Sequence, residues 1–279
     1  MEGVHAYAVQ QDIPYKHILL DSWWCVLHRT VVVRPINIGC HRYTKGDAGG
    51  LKEWDATNTT FPDGLQAFAE KTGWKFQMHN RMWADDNIYA TQNGGKYKFI
   101  VEPSKKLAIP DEQALWDDLM SNKTEHGIPL HVYEQDWMYN EWQGLNATRQ
   151  SPTLSRQWLM QMGAGAAKSN VSIQYCMTFA RMVLQTAEIP AVTTFRASDD
   201  YGPGQTGYYP TARPGKNATD GTHGCGFPYC VYYVGTTSIL AHAMQLGPSK
   251  DNYWSTALQG GSAFNRGPDP WHPSFLNGA

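Results

Sequence analysis

The feature that most constrains the fold of this 279-residue chain is a repeated alternation of short apolar strands with helices. The predicted strands cover residues 17–20, 75–78, 130–133, 171–175 and 191–195. The predicted helices cover residues 4–11, 64–71, 111–121, 154–167, 180–187 and 231–246. Repeated βα units of this kind form a parallel sheet. The sequence therefore predicts an α/β fold.

Each predicted strand becomes polar at its carboxyl end, as Asp21, Arg81, Asp136 and Arg196 illustrate. In a (β/α)8 barrel these ends form the active-site face. A doubly wound sheet also alternates strand and helix, but it usually carries a glycine-rich phosphate turn after an early strand, and this chain has none there. The pattern favours a TIM (β/α)8 barrel.

We expect residues 1–279 to form a single catalytic barrel domain that is incomplete at both ends. The chain opens inside a helix, and only one further strand, over residues 250–254, can be added to the five above. Residues 202–229 form a long loop on the active face. Residues 25–44 interrupt the pattern and are either a β-hairpin insertion or intron-derived or frameshifted sequence. The natural protein is then expected to extend in both directions.

Composition excludes several classes of partner. The formal net charge of -2 provides no basic face for a nucleic acid. The most apolar run, over residues 231–246, is interrupted by hydroxyl side chains and His242, so we expect no membrane span. The cysteine and histidine spacings do not indicate a zinc site, and neither a metal nor another cofactor is expected.

The compartment is indicated by cysteines and glycosylation sequons. Cys225 and Cys230 bracket a short loop and are placed for a local disulfide. Five sequons begin at Asn58, Asn122, Asn146, Asn170 and Asn217. Together they favour a secreted protein or one of the lysosomal and secretory pathway. No apolar run follows Met1, so a signal peptide would have to lie upstream.

The 11 Trp and 15 Tyr residues have two interpretations that composition leaves open. They can build an aromatic core, or they can stack on the apolar faces of sugars. Asp136 and Asp200 follow different predicted strands and can be the two carboxyl groups that a glycosidase needs, whereas a lone Asp there is more often a cap or loop residue. The other polar residues on the same rim are His79, Arg81, Gln174 and Arg196.

Four motifs resemble those of the melibiase and raffinose synthase superfamily of retaining α-galactosidase-like barrels. Residues 17–24 (HILLDSWW) are similar to that family's apolar strand ending in Asp-Asp-Gly-Trp, and residues 61–65 (FPDGL) to its Phe-Pro-x-Gly-Leu. Residues 132–137 (VYEQDW) lie where the family has its Lys-x-Asp nucleophile strand. Residues 196–201 (RASDDY) are similar to the Arg-x-Ser-Asp-Asp signature of the raffinose synthase branch. The resemblance covers roughly residues 4–256.

The resemblance implies a role for each matching residue. Asp136 would be the nucleophile, and Asp200, four residues after Arg196, the acid/base. Asp21 and Trp24 would bind the glycone. The remaining residues expected to bind substrate are His79, Arg81, Glu134, Trp137, Gln174, Cys176, Arg196 and Asp199.

Two departures from the family lie in the expected glycone subsite. Glu134 replaces the lysine, and its negative charge would raise the pKa of Asp136 unless Arg81 or Arg196 compensates. Ser22 replaces the second aspartate of the Asp-Asp pair. These changes put galactose in doubt more than hydrolysis.

The resulting expectation is a retaining hydrolase of α-glycosides, α-galactoside-like, that acts on an oligosaccharide or glycoside by double displacement. The carboxyl groups of Asp136 and Asp200 would then lie about 5–5.5 Å apart. Two alternatives stay open: a transglycosylase of the raffinose synthase kind, and a catalytically silent carbohydrate-binding barrel.

Overall fold

The computed structural model describes residues 1–21, 50–56, 58, 60–197 and 234–249. These residues divide into two compact units. The first contains the described residues up to Cys176 together with 185–192, and the second contains 177–184, 193–197 and 234–249. No helix in these ranges is both long and apolar enough to cross a membrane.

The first unit contains most of the regular structure. Its helices are α1 (Glu2–Gln10), α2 (Gly64–Thr72), α3 (Gln113–Glu125), α4 (Met138–Gly144), α5 (Asn146–Gln150) and α6 (Leu154–Lys168). Its strands are β1 (His17–Leu20), β2 (Lys75–Asn80), β3 (Phe99–Glu102), β4 (Leu107–Pro110), β5 (Leu130–Gln135) and β6 (Ser172–Tyr175). Short 3-10 helices occupy Thr91–Asn93, Pro103–Lys105 and Thr186–Glu188. The elements that lie wholly or mostly in the second unit are α7 (Ala180–Gln185), β7 (Val192–Arg196), α8 (Val234–Ala243) and β8 (Gly247–Ser249).

Six of the strands pair in parallel. In the first unit β1 pairs with β2, β2 with β5, and β5 with β6. In the second unit β7 pairs with β8 in parallel. A helix precedes β2, β5 and β6, as expected for βα units. These six parallel strands confirm the α/β class, whereas the closed eight-stranded barrel and the single catalytic domain stay predictions.

One face of the four-stranded sheet in the first unit is apolar. Leu20, Met78, Tyr133 and Ile173 form a row across β1, β2, β5 and β6, and each is fully buried. Because successive side chains point to opposite faces of a strand, the residues between them belong to the other face. Trp116 of α3 contacts the Tyr133 ring, with the ring centroids 6.0 Å apart. Helix α3 therefore packs on the apolar face.

Tryptophan contributes mainly to this core. Among the described residues, Trp54, Trp74, Trp83, Trp116 and Trp158 are buried. Helices α3 and α6 also pack closely, because a Cβ atom added at Gly165 would lie 2.7 Å from the carbonyl carbon of Trp116. Most of the aromatic content in the described part is thus explained by packing; Trp137 and Trp142 are only partly buried.

The structure differs from the expected elements in several places, and helices α4 and α5 and strand β8 are among the elements that were not predicted. Strands β2 and β5 continue to Asn80 and Gln135, because their polar ends still pair with neighbouring strands. Strands β3 and β4 form an antiparallel hairpin that was not predicted. Pro110 ends β4 and does not begin α3, which starts at Gln113.

Several expectations lie outside the described residues. They concern the insertion at 25–44, the loop at 202–229, the pair Cys225 and Cys230, and the possible strand at 250–254. Strand β8 ends at Ser249, immediately before that last segment.

Candidate active site at the strand ends

The polar face of the four-stranded sheet brings predicted site residues together. His79 of β2 is paired in register with Glu134 of β5, and Glu134 with Gln174 of β6. Side chains at paired positions point to the same face of a sheet, so these three form one polar row. The residues that continue β1, β5 and β6 at this end are Asp21, Asp136 and Cys176.

A histidine–aspartate contact lies at the centre of the cluster. The His79 Nε2 atom is 3.2 Å from Asp136 Oδ2 and 4.0 Å from Asp21 Oδ1. The exposed fractions of the three side chains are 2% for His79, 13% for Asp136 and 50% for Asp21. Within the cluster the His79 imidazole is therefore buried, the Asp136 carboxylate is largely shielded, and the Asp21 carboxylate is half exposed to solvent.

The surroundings of His79 favour its charged form. Burial acts to lower its pKa, but the hydrogen bond to Asp136 and the charges of Asp136, Asp21 and Glu134 outweigh burial. The net effect raises the pKa of His79 above its ordinary value of 6.5. The contact thus favours an ion pair between imidazolium and carboxylate.

Glu134 is buried, whereas the sequence suggested a charged side chain beside Asp136. Its side chain is 2% exposed, and one carboxyl oxygen accepts a hydrogen bond of 2.9 Å from Gln77 Nε2. Burial raises the pKa of Glu134 to about 8; the charges of Asp136 and Asp21 add to this effect, while the charge of His79 and the Gln77 hydrogen bond oppose it. At neutral pH Glu134 is mainly the uncharged acid, so the negative charge expected beside Asp136 is largely absent.

Two hydrogen bonds to neighbouring backbone groups fix the position of Asp136. Its N–H donates to the carbonyl oxygen of Asn80 at 2.7 Å, and its Oδ1 atom accepts the N–H of Trp137 at 2.6 Å. Trp137 has a φ of 54°, in the left-handed region that large residues rarely adopt. This turn lets α4 begin at Met138, directly after the strand end.

An aromatic–cationic stack borders the carboxylate. The Arg81 guanidinium carbon lies 4.0 Å from the centroid of the Trp137 ring. The Trp137 and Tyr139 rings are stacked with an interplanar angle of 24° and centroids 6.2 Å apart. Planar rings and a guanidinium suit recognition of sugar faces and hydroxyl groups.

A buried hydrogen-bond network, which was not predicted, supports these strand ends. Asn80 Nδ2 donates to the Tyr133 hydroxyl at 2.6 Å, and that hydroxyl donates to Gln135 Oε1 at 2.9 Å. Gln135 Nε2 donates in turn to the carbonyl oxygen of Asp136 at 3.1 Å. The available sequence signal was the polar residues at these strand ends, which require partners once they are buried.

The remaining predicted site residues are not part of this cluster as described. Arg196 is the last residue of β7, mostly in the second unit, and it is buried. Trp24, Asp199 and Asp200 lie outside the described residues. Within the described ranges no group of three or more His, Cys, Asp or Glu side chains is arranged to bind a metal ion.

Comparisons with family models, curated proteins and solved structures find no match to this chain. The resemblance to the α-galactosidase-like barrels rests on the four sequence motifs and stays a prediction.

Proposed function

We propose that this chain is a retaining glycoside hydrolase that acts on α-glycosides, with Asp136 as nucleophile and Asp200 as acid/base. The observation that carries the proposal is the position of Asp136. It follows a central parallel strand and is partly shielded from solvent, and it lies beside a buried histidine and an Arg81–Trp137 stack. The carboxyl ends of parallel strands are where barrel enzymes place their catalytic groups.

In the proposed reaction an Asp136 oxygen attacks the anomeric carbon while Asp200 protonates the leaving glycosidic oxygen. The bond to the aglycone breaks, and a covalent glycosyl–Asp136 ester forms. Asp200, now a carboxylate, takes a proton from water, which attacks the anomeric carbon and releases Asp136. Each of the two steps inverts the configuration of the anomeric carbon, so the product retains the configuration of the substrate.

The glycone would lie against the polar row and its neighbours. Asp21 is half exposed and can accept hydrogen bonds from sugar hydroxyls. Gln174 can donate and accept hydrogen bonds, and Arg81 can donate them. Glu134, uncharged at neutral pH, offers a hydrogen-bond donor where the α-galactosidase-like family offers a lysine. An α-galactoside-like substrate with a different pattern of contacted hydroxyls fits these residues.

Release of nitrophenol from a panel of α- and β-aryl glycosides tests the activity. We expect Asp136→Asn to lower turnover by at least about 10³-fold on every cleaved substrate, because no ester can form. Asp200→Asn should spare ester formation from activated aryl glycosides and slow hydrolysis of the ester. Asp12→Asn, at an exposed position before β1, is the matched control. Full activity of Asp136→Asn would exclude the assignment.

One observation favours the silent carbohydrate-binding barrel as a second candidate. Both carboxylate oxygens of Asp136 are engaged, one by His79 and one by the Trp137 N–H. A barrel that only binds would retain sugar affinity, measured by calorimetry, and would release no nitrophenol from any glycoside. A transglycosylase would transfer the glycosyl group to an added sugar acceptor in preference to water.

We also propose a secretory or lysosomal compartment. Four sequon asparagines lie in the described part of the chain, at Asn58, Asn122, Asn146 and Asn170, and all four side chains are exposed. The folded protein can therefore carry glycans at each of them. Mass spectrometry of the protein secreted from a eukaryotic host tests for these glycans.

A further inference from the structure

We infer that His79 is the positioning residue that keeps Asp136 in its carboxylate form, in place of the cation that a lysine at position 134 would provide. This catalytic role rests on the proposed function, whereas the pairing of the two side chains does not. Because Asp136 is largely shielded from solvent, a nearby positive charge is needed to favour its ionised form. The contact with His79 supplies it.

The geometry places His79 well for this role. It lies on β2, next to β5 in the sheet, and its Nε2 atom is 3.2 Å from Asp136 Oδ2. The His79 side chain is only 2% exposed. A buried imidazolium is stable only beside a negative charge, and a carboxylate beside it is stabilised in the same way. Each member of the pair thus holds the other in its charged form.

Within the described part of the chain, the titratable groups whose charges act on His79 come from two neighbouring strands. Asp21 follows β1, and Glu134 and Asp136 belong to β5 or follow it; their charges all favour the imidazolium. Glu134 of β5 is largely uncharged at neutral pH because of burial, while Asp136, which follows β5, makes the direct contact with His79. The arrangement favours a cationic His79 beside an anionic Asp136. Ionised Asp136 is the form that nucleophilic attack requires.

The pairing is tested without any substrate. The full chain is labelled with ¹³C at histidine Cε1, and the signal of His79 is assigned by its loss in His79→Gln. Titration by NMR should show the pKa of His79 falling by about one unit or more in Asp136→Asn, since the adjacent negative charge is removed. His131, on β5 beside His17, provides a histidine outside the cluster whose titration should be unchanged. An unaltered pKa of His79 in Asp136→Asn would overturn the pairing.

The catalytic role is tested on whichever aryl glycoside the enzyme cleaves. The acid limb of kcat/KM reports ionisation of the nucleophile in the free enzyme. In His79→Gln this limb should move to higher pH by about one unit, because Asp136 loses its cationic partner. A purely structural effect would lower kcat/KM at all pH values without moving the limb. His131→Gln is the matched control and should leave the profile unchanged.

The two experiments separate failure of the inference from failure of the proposed function. If the NMR titration shows the pairing and no glycoside is cleaved, the glycosidase proposal and with it the catalytic role of His79 fall, while the pairing stands. If a glycoside is cleaved by way of Asp136 and the acid limb does not move in His79→Gln, the glycosidase proposal stands and the role of His79 is wrong.

Discussion

Trp137 combines a side chain in the candidate site with a backbone conformation that suits glycine. Its φ of 54° costs a residue with a Cβ atom roughly 1–2 kcal/mol relative to glycine. We therefore expect Trp137→Gly to be more stable to urea than Trp137→Ala by about 1 kcal/mol, although both lose the stack with Arg81. At Gln143, an exposed position in the right-handed helix α4, the order should reverse, with Ala more stable than Gly. The same order of stability for the Gly and Ala variants at positions 137 and 143 would contradict backbone strain at Trp137.

The positions of the site residues could be predicted from the sequence more fully than the contacts between them. The strand-end pattern and the family resemblance placed His79, Glu134 and Asp136 at one edge of the sheet. The pairing of His79 with Asp136 depends on the register between β2 and β5, which no local pattern specifies. The uncharged state of Glu134 depends on burial by surrounding elements, and this too is a tertiary property.

Helices α3 and α6 approach each other closely at Gly165. A Cβ atom at Gly165 would lie 2.7 Å from the Trp116 carbonyl carbon, so Gly165→Ala forces these helices apart. We expect Gly165→Ala to lower the free energy of unfolding by about 1–3 kcal/mol, despite alanine's better helix propensity. Gly3→Ala in α1, where no neighbouring atom lies within 4 Å, should instead raise it by roughly 0.5–1 kcal/mol. Chemical denaturation measures the free energy of unfolding of both variants. The same change in Gly165→Ala and Gly3→Ala would contradict the packing argument.

Among the elements, five of the six parallel strands were predicted because each is a short apolar run between helices, whereas β8 was not predicted. Their ends were underestimated, since Asn80 and Gln135 are polar residues that remain paired within the sheet. The β3–β4 hairpin was missed, since Pro110 directly before the helix predicted from residue 111 is typical of a helix start, whereas it ends β4. A proline at the end of an edge strand is compatible with pairing, and only the tertiary context decides between these options.

For the whole molecule, buried acids predict a stability that declines with rising pH. Burial raises the pKa of Glu134 to about 8 and that of Glu141 well above 4.5, and the carboxyl groups around His79 raise its pKa despite burial. A group whose pKa is raised by folding stabilises the folded state fully below its unfolded pKa, and loses that contribution as pH rises through the folded pKa. We expect the free energy of unfolding to fall by roughly 1–3 kcal/mol between about pH 5 and 8.5.

Urea unfolding at several pH values checks this slope. Glu134→Gln should flatten it, because an amide of the same shape does not titrate. Glu125→Gln, at an exposed position on α3, should leave the slope unchanged. Stability that increases towards pH 8.5 would contradict the burial of these acids. The expected acid preference agrees with the lysosomal option proposed above.

The alternation of the sheet between an apolar and a polar face has a consequence for how this protein can change. On β2 and β5, neighbouring residues belong to different faces, so Met78 and Tyr133 fill the core while His79 and Glu134 face the site. Substitutions at the apolar positions therefore alter the core, whereas substitutions at the polar positions between them alter the candidate site. A combinatorial library restricted to positions 77, 79, 134 and 174 leaves the apolar row unchanged, so it offers directed evolution a way to test whether these side chains select the sugar in the proposed activity.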